Sequence, residues 1–297
     1  MRYAAIDIGS NAVRLLIADI IKNGEIYSFK KNTLIRVPLR LGDDAFIQNE
    51  ISEQKVEDLL KTMHAFKNLM DVYKVKAYKA CATSAMREAK NSGSILKSAK
   101  DFGLDINVIT GAEEAQIIFS TQISQQLDVK KNYLFIDVGG GSTELTLFSE
   151  KRIIASKSFD LGTIRILDNQ DREETWEDMR EWVSKNTKGL KNLYGIGTGG
   201  NINKLSRLSN SKEDKPLSYL KIKSLYEYLT SFSLKDRINI LGLNADRADV
   251  IVPACEIFLT IMKHGKIRQI QVPRVGLADG MIQTLIQKNL EESPISL

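Results

Sequence analysis

The chain has 297 residues, 43% apolar and 27% charged, enough to bury the cores of two ordinary domains, and this excludes disordered and fibrous classes. Its 42 lysines and arginines against 37 aspartates and glutamates leave a formal net charge of +5, a mild bias that admits anionic ligands. Nucleic acid as a partner would call for a basic stripe interleaved with aromatics. The densest basic cluster, YSFKKNTLIRVPLRL from Tyr27, reads instead as a strand pair with a solvated face.

In chain order, MRYAAIDIGSNAVRLLIADII predicts a strand, a glycine-bearing turn and a second strand. Asp7, Asn11 and Arg14 interrupt the apolar run, so neither a signal core nor a membrane span is expected, and the chain is read as cytoplasmic. A polar reversal, IKNGEI, leads into a third strand. Val56, Leu59, Leu60, Met63, Phe66 and Met70 then recur at spacings of three and four, predicting a helix with Ser52 as N-cap. VKAYKACAT and INVIT read as strands, and GAEEAQIIFSTQISQQL as a helix. The polar stretch QLDVKKN marks a boundary, giving domains over 1–126 and 127–297, the terminal helix packing back on the first as an alternative.

LFIDVGGGSTELTLF opens the second half and repeats the first hairpin. Asp7 pairs with Asp137, Gly9 with Gly139, Ser10 and Asn11 with Gly140 and Gly141, and Leu15 with Leu145, at one constant offset, which signals a duplicated domain. FSEKRI is the matching reversal. A charged helix follows with Trp176, Met179 and Val183 inward. NLYGIGTGGNINKLSRL then reads as strand, glycine turn and helix. NADRADVIVPACEIFLTIMKHG reads as one long buried helix capped by Asn244 or Asp246, IRQIQVP as a strand, and GLADGMIQTLIQKNL as a terminal helix. Strands alternating with helices place the chain in the α/β class. Cys81 and Cys255 are expected as buried thiols. His64 and His264 are too few for a histidine-based zinc site or a Ser-His-Asp triad.

Three glycines inside a run of β-formers indicate a turn where backbone must approach something closely. Such a turn can point N–H groups into a concavity that holds phosphate oxygens, while a neighbouring carboxylate recruits a divalent cation. The pattern is neither a Walker A loop nor a dinucleotide fingerprint.

Taken together, AAIDIGSNAVRLLIADI, LRLGDDAF, ATSAMREAKN, VITGAEEAQIIF, FIDVGGGSTEL, FDLGTIRIL, GIGTGGNINKLSRL and RADVIVPACEIF resemble the exopolyphosphatase/guanosine pentaphosphate phosphohydrolase family, of the sugar kinase, heat-shock 70 and actin superfamily. The resemblance runs from Asp7 to about Ile286 and lacks the C-terminal helical module of longer members, so it points to the short form. It implies two ribonuclease-H-like (actin-like ATPase) domains with a cleft between them. The implied activity is Mg²⁺-dependent release of the terminal phosphate from inorganic polyphosphate or guanosine pentaphosphate, without nucleic-acid or membrane partners. A homodimer is the default expectation for such chains.

Carried over residue by residue, the resemblance makes Glu114 the base that activates water. The alternative is that Glu113 and Glu114 only complement a helix N-terminus. Arg87 is the guanidinium clamp, supported by Asn91. Asp137 and Glu144 are the metal-side carboxylates, with Asp7 their counterpart or else a turn cap. Ser10, Asn11, Gly139, Gly140, Gly141, Ser142 and Thr143 cradle phosphate. Arg36 and Arg40 are either contacts for trailing phosphates or surface residues. Gly199 and Gly200 occupy the place of an adenosine site or serve close packing. One departure stands out: the family's Gly-Leu-Arg-Glu-Gly run is here GLADG, with Ala278 and Asp279 in place of the arginine and glutamate and Arg274 as a substitute cation. This leaves a kinase or ATPase, and a non-catalytic polyphosphate or alarmone sensor, as alternatives.

Overall fold

The computed structural model describes residues 1–24, 26–120, 128, 130–150, 152–209, 215–273 and 275–292. Arg274 and most of the boundary stretch lie outside them. Two units divide the chain, Met1–Gln122 with Val275–Leu297, and Ile123–Arg274.

In the first unit β1 (Arg2–Ile8), β2 (Val13–Asn23) and β3 (Ile26–Val37) form an antiparallel meander. The basic cluster is thus one strand rather than a strand pair. Its apparent break at Asn32 is a bulge: the register passes from Ile17↔Thr33 to Ala18↔Lys31, and Asn32 Nδ2 donates to Asp19 at 2.7 Å. Next come α1 (Leu41–Gln48) and α2 (Glu53–Val72), which buries Leu59, Met63, Phe66 and Met70, each worth about 1.5–3 kcal/mol. Ser52 holds the N-cap position of α2, but its side chain turns away. Its Oγ and N donate to Asp44 at 2.5 and 3.0 Å, tying α2 to α1. After β4 (Ala77–Ala82), α3 (Ser84–Glu88), α4 (Ser92–Asp101), β5 (Asn107–Val108) and α5 (Gly111–Phe119), the sheet order is β3-β2-β1-β4-β5, with β4 parallel to β1 and β5 parallel to β4.

The second unit repeats the plan with β6 (Asn132–Val138), β7 (Thr143–Ser149) and β8 (Arg152–Phe159), then α6 (Thr163–Leu167), α7 (Glu173–Thr187), β9 (Leu193–Thr198) and α8 (Gly199–Leu208). It continues through β10 (Leu217–Ser218), α9 (Tyr219–Thr230), α10 (Leu234–Asn239), α11 (Ala245–Ala248), α12 (Ile251–His264) and β11 (Gln269–Gln271), for a sheet order of β10-β11-β9-β6-β7-β8. A meander joined to parallel strands in both units is the duplicated ribonuclease-H-like arrangement. The long helix expected over this stretch is two helices. Pro253 has no N–H to give the Asp249 carbonyl one turn back, which interrupts the helical ladder there, and Val250 N–H donates to Asp249 Oδ1 at 2.7 Å. Buried α12 residues such as Ile251, Phe258 and Ile261 join the core of this sheet with Leu134, Ile136 and Leu145.

Helix α13 (Leu277–Glu292) belongs to the first unit, where Leu277, Ala278, Met281 and Ile282 pack with Tyr3, Cys81, Ile109 and Ile118. A Cβ on Gly280 would lie 2.0 Å from the Ile117 carbonyl, so glycine lets α13 close on α5. Asp279 accepts from Gly276 N at 3.0 Å and pairs with Lys31 at 2.8 Å. Burial pushes its carboxyl up, against the pull of Lys31. Both cysteines are buried free thiols, pushed by burial up to about 11 for Cys81 and about 12 for Cys255. Among the described residues no helix is long and apolar enough to cross a membrane.

Candidate active site

Each unit carries candidate residues at the turn between the first two strands of its meander. In the second unit the turn is Gly139–Ser142, closed by Gly139 N donating to Ser142 O at 2.9 Å. All three glycine carbonyls are taken from behind. Thr163 N donates to Gly139 O at 3.1 Å, Ile164 N to Gly140 O at 2.8 Å, and Arg165 Nε to Gly141 O at 2.7 Å. A trans peptide sets each C=O antiparallel to the following N–H, so the N–H groups of Gly140, Gly141 and Ser142 are aimed away from that segment. Backbone N–H groups presented by a tight turn can hold an anion. Gly162 makes it possible: a Cβ there would fall 2.2 Å from Gly140 O and 2.5 Å from Gly141 N.

The first unit is built alike. Gly42 N donates to Ser10 O at 2.9 Å and Arg40 N to Asn11 O at 3.0 Å, which turns the N–H groups of Asn11 and Ala12 the other way. To donate from that position Arg40 adopts a left-handed backbone, φ 51°. RLG, whose Leu41 and Gly42 open α1, and DLG, just before α6, each set a Leu-Gly step behind the turn.

Strand register then sets the side chains beside the turns. Asp137 lies opposite Glu144 on one side and Thr198 on the other, and Glu144 opposite Ser158, so these four share one face of the second sheet. Directly opposed residues have Cβ atoms about 4.5–5.5 Å apart. Ser158 Oγ donates to buried Glu144 at 2.9 Å. The Asp137 carboxylate rests at the N-terminus of α8, where Gly199 has φ 87° and a Cβ would sit 2.5 Å from Asp137 Oδ1. The corresponding row in the first sheet is Arg36, Arg14, Asp7 and Cys81. Its charge is inverted, since Arg14 stands where the second unit has Glu144. Arg14 Nη1 donates to Asp7 Oδ2 at 2.6 Å, and Asp7 is buried.

These rows bear on the Mg²⁺ that the resemblance implies. Asp137 and Glu144 are adjacent carboxylates whose mutual repulsion a divalent cation relieves, and Mg²⁺ typically takes one or two carboxylates and completes its shell with water and phosphate oxygen. The residues fit. Asp7 fits less well, because an arginine already neutralises it. Among the described residues no cluster of three or more His, Cys, Asp or Glu forms a ready-made metal cage.

Glu113 and Glu114 part company at the start of α5. Thr110 and Glu113 form a capping box: Glu113 Oε2 accepts from Thr110 N at 2.7 Å and from Thr110 Oγ1 at 2.9 Å, while Glu113 N donates to Thr110 Oγ1 at 3.2 Å. These bonds hold the Glu113 carboxyl below its usual range. The helix-end explanation therefore accounts for Glu113. Glu114 is half-buried.

Several candidate groups have structural duties. The Ser10 hydroxyl meets that of Ser84 at 2.8 Å, both buried, and Thr143 Oγ1 donates to Leu161 O at 2.6 Å. Asn91 brackets Ile51, donating to its carbonyl at 2.7 Å and accepting from its N–H at 3.1 Å, rather than supporting Arg87. Arg87 Nη1 donates to Ile109 O at 2.7 Å, just before α5, which ties its guanidinium to the segment that carries Glu114. Ala278 is buried in the apolar cluster of α13, and Arg274, the substitute cation expected from the sequence, lies outside the described residues.

Comparison with known proteins decides the family. A profile described as the Ppx/GppA phosphatase family matches residues 21–289. The chain belongs to the Ppx/GppA phosphatase family. It is similar to the crystal structure of the Aquifex aeolicus member of this Ppx/GppA family at 27% identity, covering 97% of this chain and 98% of that one, with a TM-score of 0.79. It is 24% identical to exopolyphosphatase 2 of Mycobacterium tuberculosis over 96% of this chain and 98% of that protein. It is 32% identical to a bifunctional 3-dehydroquinate synthase/phosphatase of Fusobacterium nucleatum over 88% of this chain, but spans only 43% of that longer protein.

Within this Ppx/GppA chain, sequence reasoning missed Arg14, Gly162, Arg165 and Arg247. The first was legible, because the repeat that aligned Leu15 with Leu145 also aligns Arg14 with Glu144. The Arg247 guanidinium lies against Gly200, where a Cβ would be 2.3 Å from Nη2, and it donates to Asn201 Oδ1 at 3.1 Å. Gly199 and Gly200 thus serve a carboxylate and a guanidinium respectively, which no spacing rule announces.

Proposed function

We propose that this phosphatase releases the terminal phosphate of a linear phosphoanhydride, inorganic polyphosphate or guanosine pentaphosphate, by in-line attack of a water activated by Glu114. The observation that carries the reading is the Gly139–Ser142 turn beside Asp137 and Glu144, whose three glycine carbonyls are claimed by the segment from Thr163 to Arg165. Phosphoryl transfer needs little covalent help from a protein; it needs the phosphate chain positioned, its charge neutralised and the nucleophile aligned. Backbone N–H groups of Gly140, Gly141 and Ser142 position the anion. Asp137 and Glu144 would hold a divalent cation, which when bound offsets the negative charge of the transferring group. Arg87 supplies a fork-shaped donor for phosphate oxygens. Glu114, released from capping by Glu113, orients the water and takes its proton.

A second reading, a sensor that binds without turnover, is favoured by one observation: Ala278 is buried and apolar where the resembled family has a phosphate-facing arginine. One assay separates the two readings. Orthophosphate release is followed with short and long polyphosphates, guanosine pentaphosphate, and ATP with and without acceptors, in the presence and absence of Mg²⁺. Metal-dependent release from a linear phosphoanhydride without acceptor is expected. Tight binding with no release would favour the sensor, and release only with an acceptor would favour a kinase.

A further inference from the structure

We propose that Arg165 is a positioning residue of the phosphate-holding turn, acting from behind it as a buried guanidinium that fixes Gly141 and places a permanent positive charge under the bound anion. The inference rests on the phosphohydrolase reading and adds to it a residue that touches no substrate. Arg165 is 8% exposed, an unusual place for a full charge, because buried charges are costly unless held by partners. Its Nε donates to Gly141 O at 2.7 Å, and its backbone N lies 3.4 Å from Gly140 O. The guanidinium thus reaches the last peptide of the turn, beyond the donors that Thr163 and Ile164 supply to the first two.

The turn of the first unit differs in its donors: Ser10 O accepts from Gly42 N and Asn11 O from Arg40 N, both backbone groups, whereas Gly141 O accepts from a side chain, Arg165 Nε. A polarised Gly141 carbonyl also strengthens the Ser142 N–H across the same peptide unit, since hydrogen bonds in a chain reinforce one another.

The test uses the full chain, with Mg²⁺, titrated with tripolyphosphate by calorimetry and assayed for phosphate release. Arg165→Met is expected to raise Kd and KM for tripolyphosphate by about tenfold or more while kcat changes by less than about threefold, because a charge-assisted contact is lost and the base is untouched. Arg165→Lys keeps the charge without the planar fork, and its Kd is expected between the two, about threefold above wild type. A lower melting temperature with Kd and KM at wild-type values would show a purely structural role and overturn the proposal. Should Arg165→Met fail to fold, Arg165→Lys decides alone, and an unchanged Kd overturns it. Wild type that neither binds nor cleaves any linear phosphoanhydride would instead sink the functional reading, and this proposal with it.

Discussion

Glu114→Gln is expected to slow phosphate release by about 10²–10⁴-fold, the usual contribution of a positioned general base, while leaving polyphosphate affinity within about threefold of wild type. The substitution is isosteric and removes only the ability to take a proton. It should leave α5 intact, because the capping box at Thr110 is closed by Glu113. Glu113→Gln provides the opposite pattern: a weakened helix start, read as a lower melting temperature, with turnover within a few-fold of wild type. If Glu113→Gln abolishes turnover and Glu114→Gln does not, the assignment of the base is wrong.

Gly162→Ala is the second large effect. An added Cβ would fall 2.2 Å from Gly140 O, 2.4 Å from Gly140 C and 2.5 Å from Gly141 N, all backbone atoms that no side-chain rotation can move. Either the segment entering α6 retreats, releasing the donors from Thr163, Ile164 and Arg165, or the turn itself shifts. Overpacking of this kind costs about 1–3 kcal/mol of stability. Because a displacement near 1 Å can cost about 10²-fold in rate, kcat/KM is expected to fall by roughly that factor in the fraction that remains folded. Gly93→Ala, in α4 with nothing within 4 Å of the new Cβ, serves as the control and should leave activity unchanged. Wild-type kcat/KM in folded Gly162→Ala would mean that the close approach to Gly140 does not matter to catalysis.

Much of the fold was legible because the duplication is written in residues whose roles are local. Gly9 and Gly139 close matching turns, and the apolar alternation on either side makes both meanders readable as strands. The α2 stripe from Leu59 to Met70 is equally plain. Legibility failed where a local signal had a tertiary cause. Lys-Lys-Asn-Thr looks like a turn, yet Asn32 is a bulge that Asp19 holds in the strand. The stretch from Ala245 to His264 has unbroken apolar content, and the missing N–H of Pro253 interrupts its helical ladder. Helix α1 begins at a left-handed Arg40 with no side-chain cap, so nothing in the usual list of start signals marks it.

The candidate site divides the same way. The strand register sets Asp137 opposite Glu144, and Glu114 lies in the first turn of α5. Asp7 does not behave as a copy of Asp137, because Arg14 replaces Glu144 and turns a carboxylate pair into an ion pair at 2.6 Å. Ser10, Thr143 and Asn91 have the right chemistry for a phosphate cradle, but their polar atoms are engaged by Ser84, Leu161 and Ile51. Hydroxyl and amide side chains advertise hydrogen bonding in a sequence without saying to whom. Gly162 and Arg165 were invisible for the converse reason: their work is done on the carbonyls of another segment.

Water enriched in ¹⁸O tests the central claim most directly. A single turnover of the wild-type chain with Mg²⁺ and a linear polyphosphate is predicted to place one ¹⁸O atom in the released orthophosphate and none in the shortened chain, with the signal lost in Glu114→Gln. Label in the remaining chain, or phosphate released without solvent oxygen, would contradict attack by a Glu114-activated water on the terminal phosphoryl group.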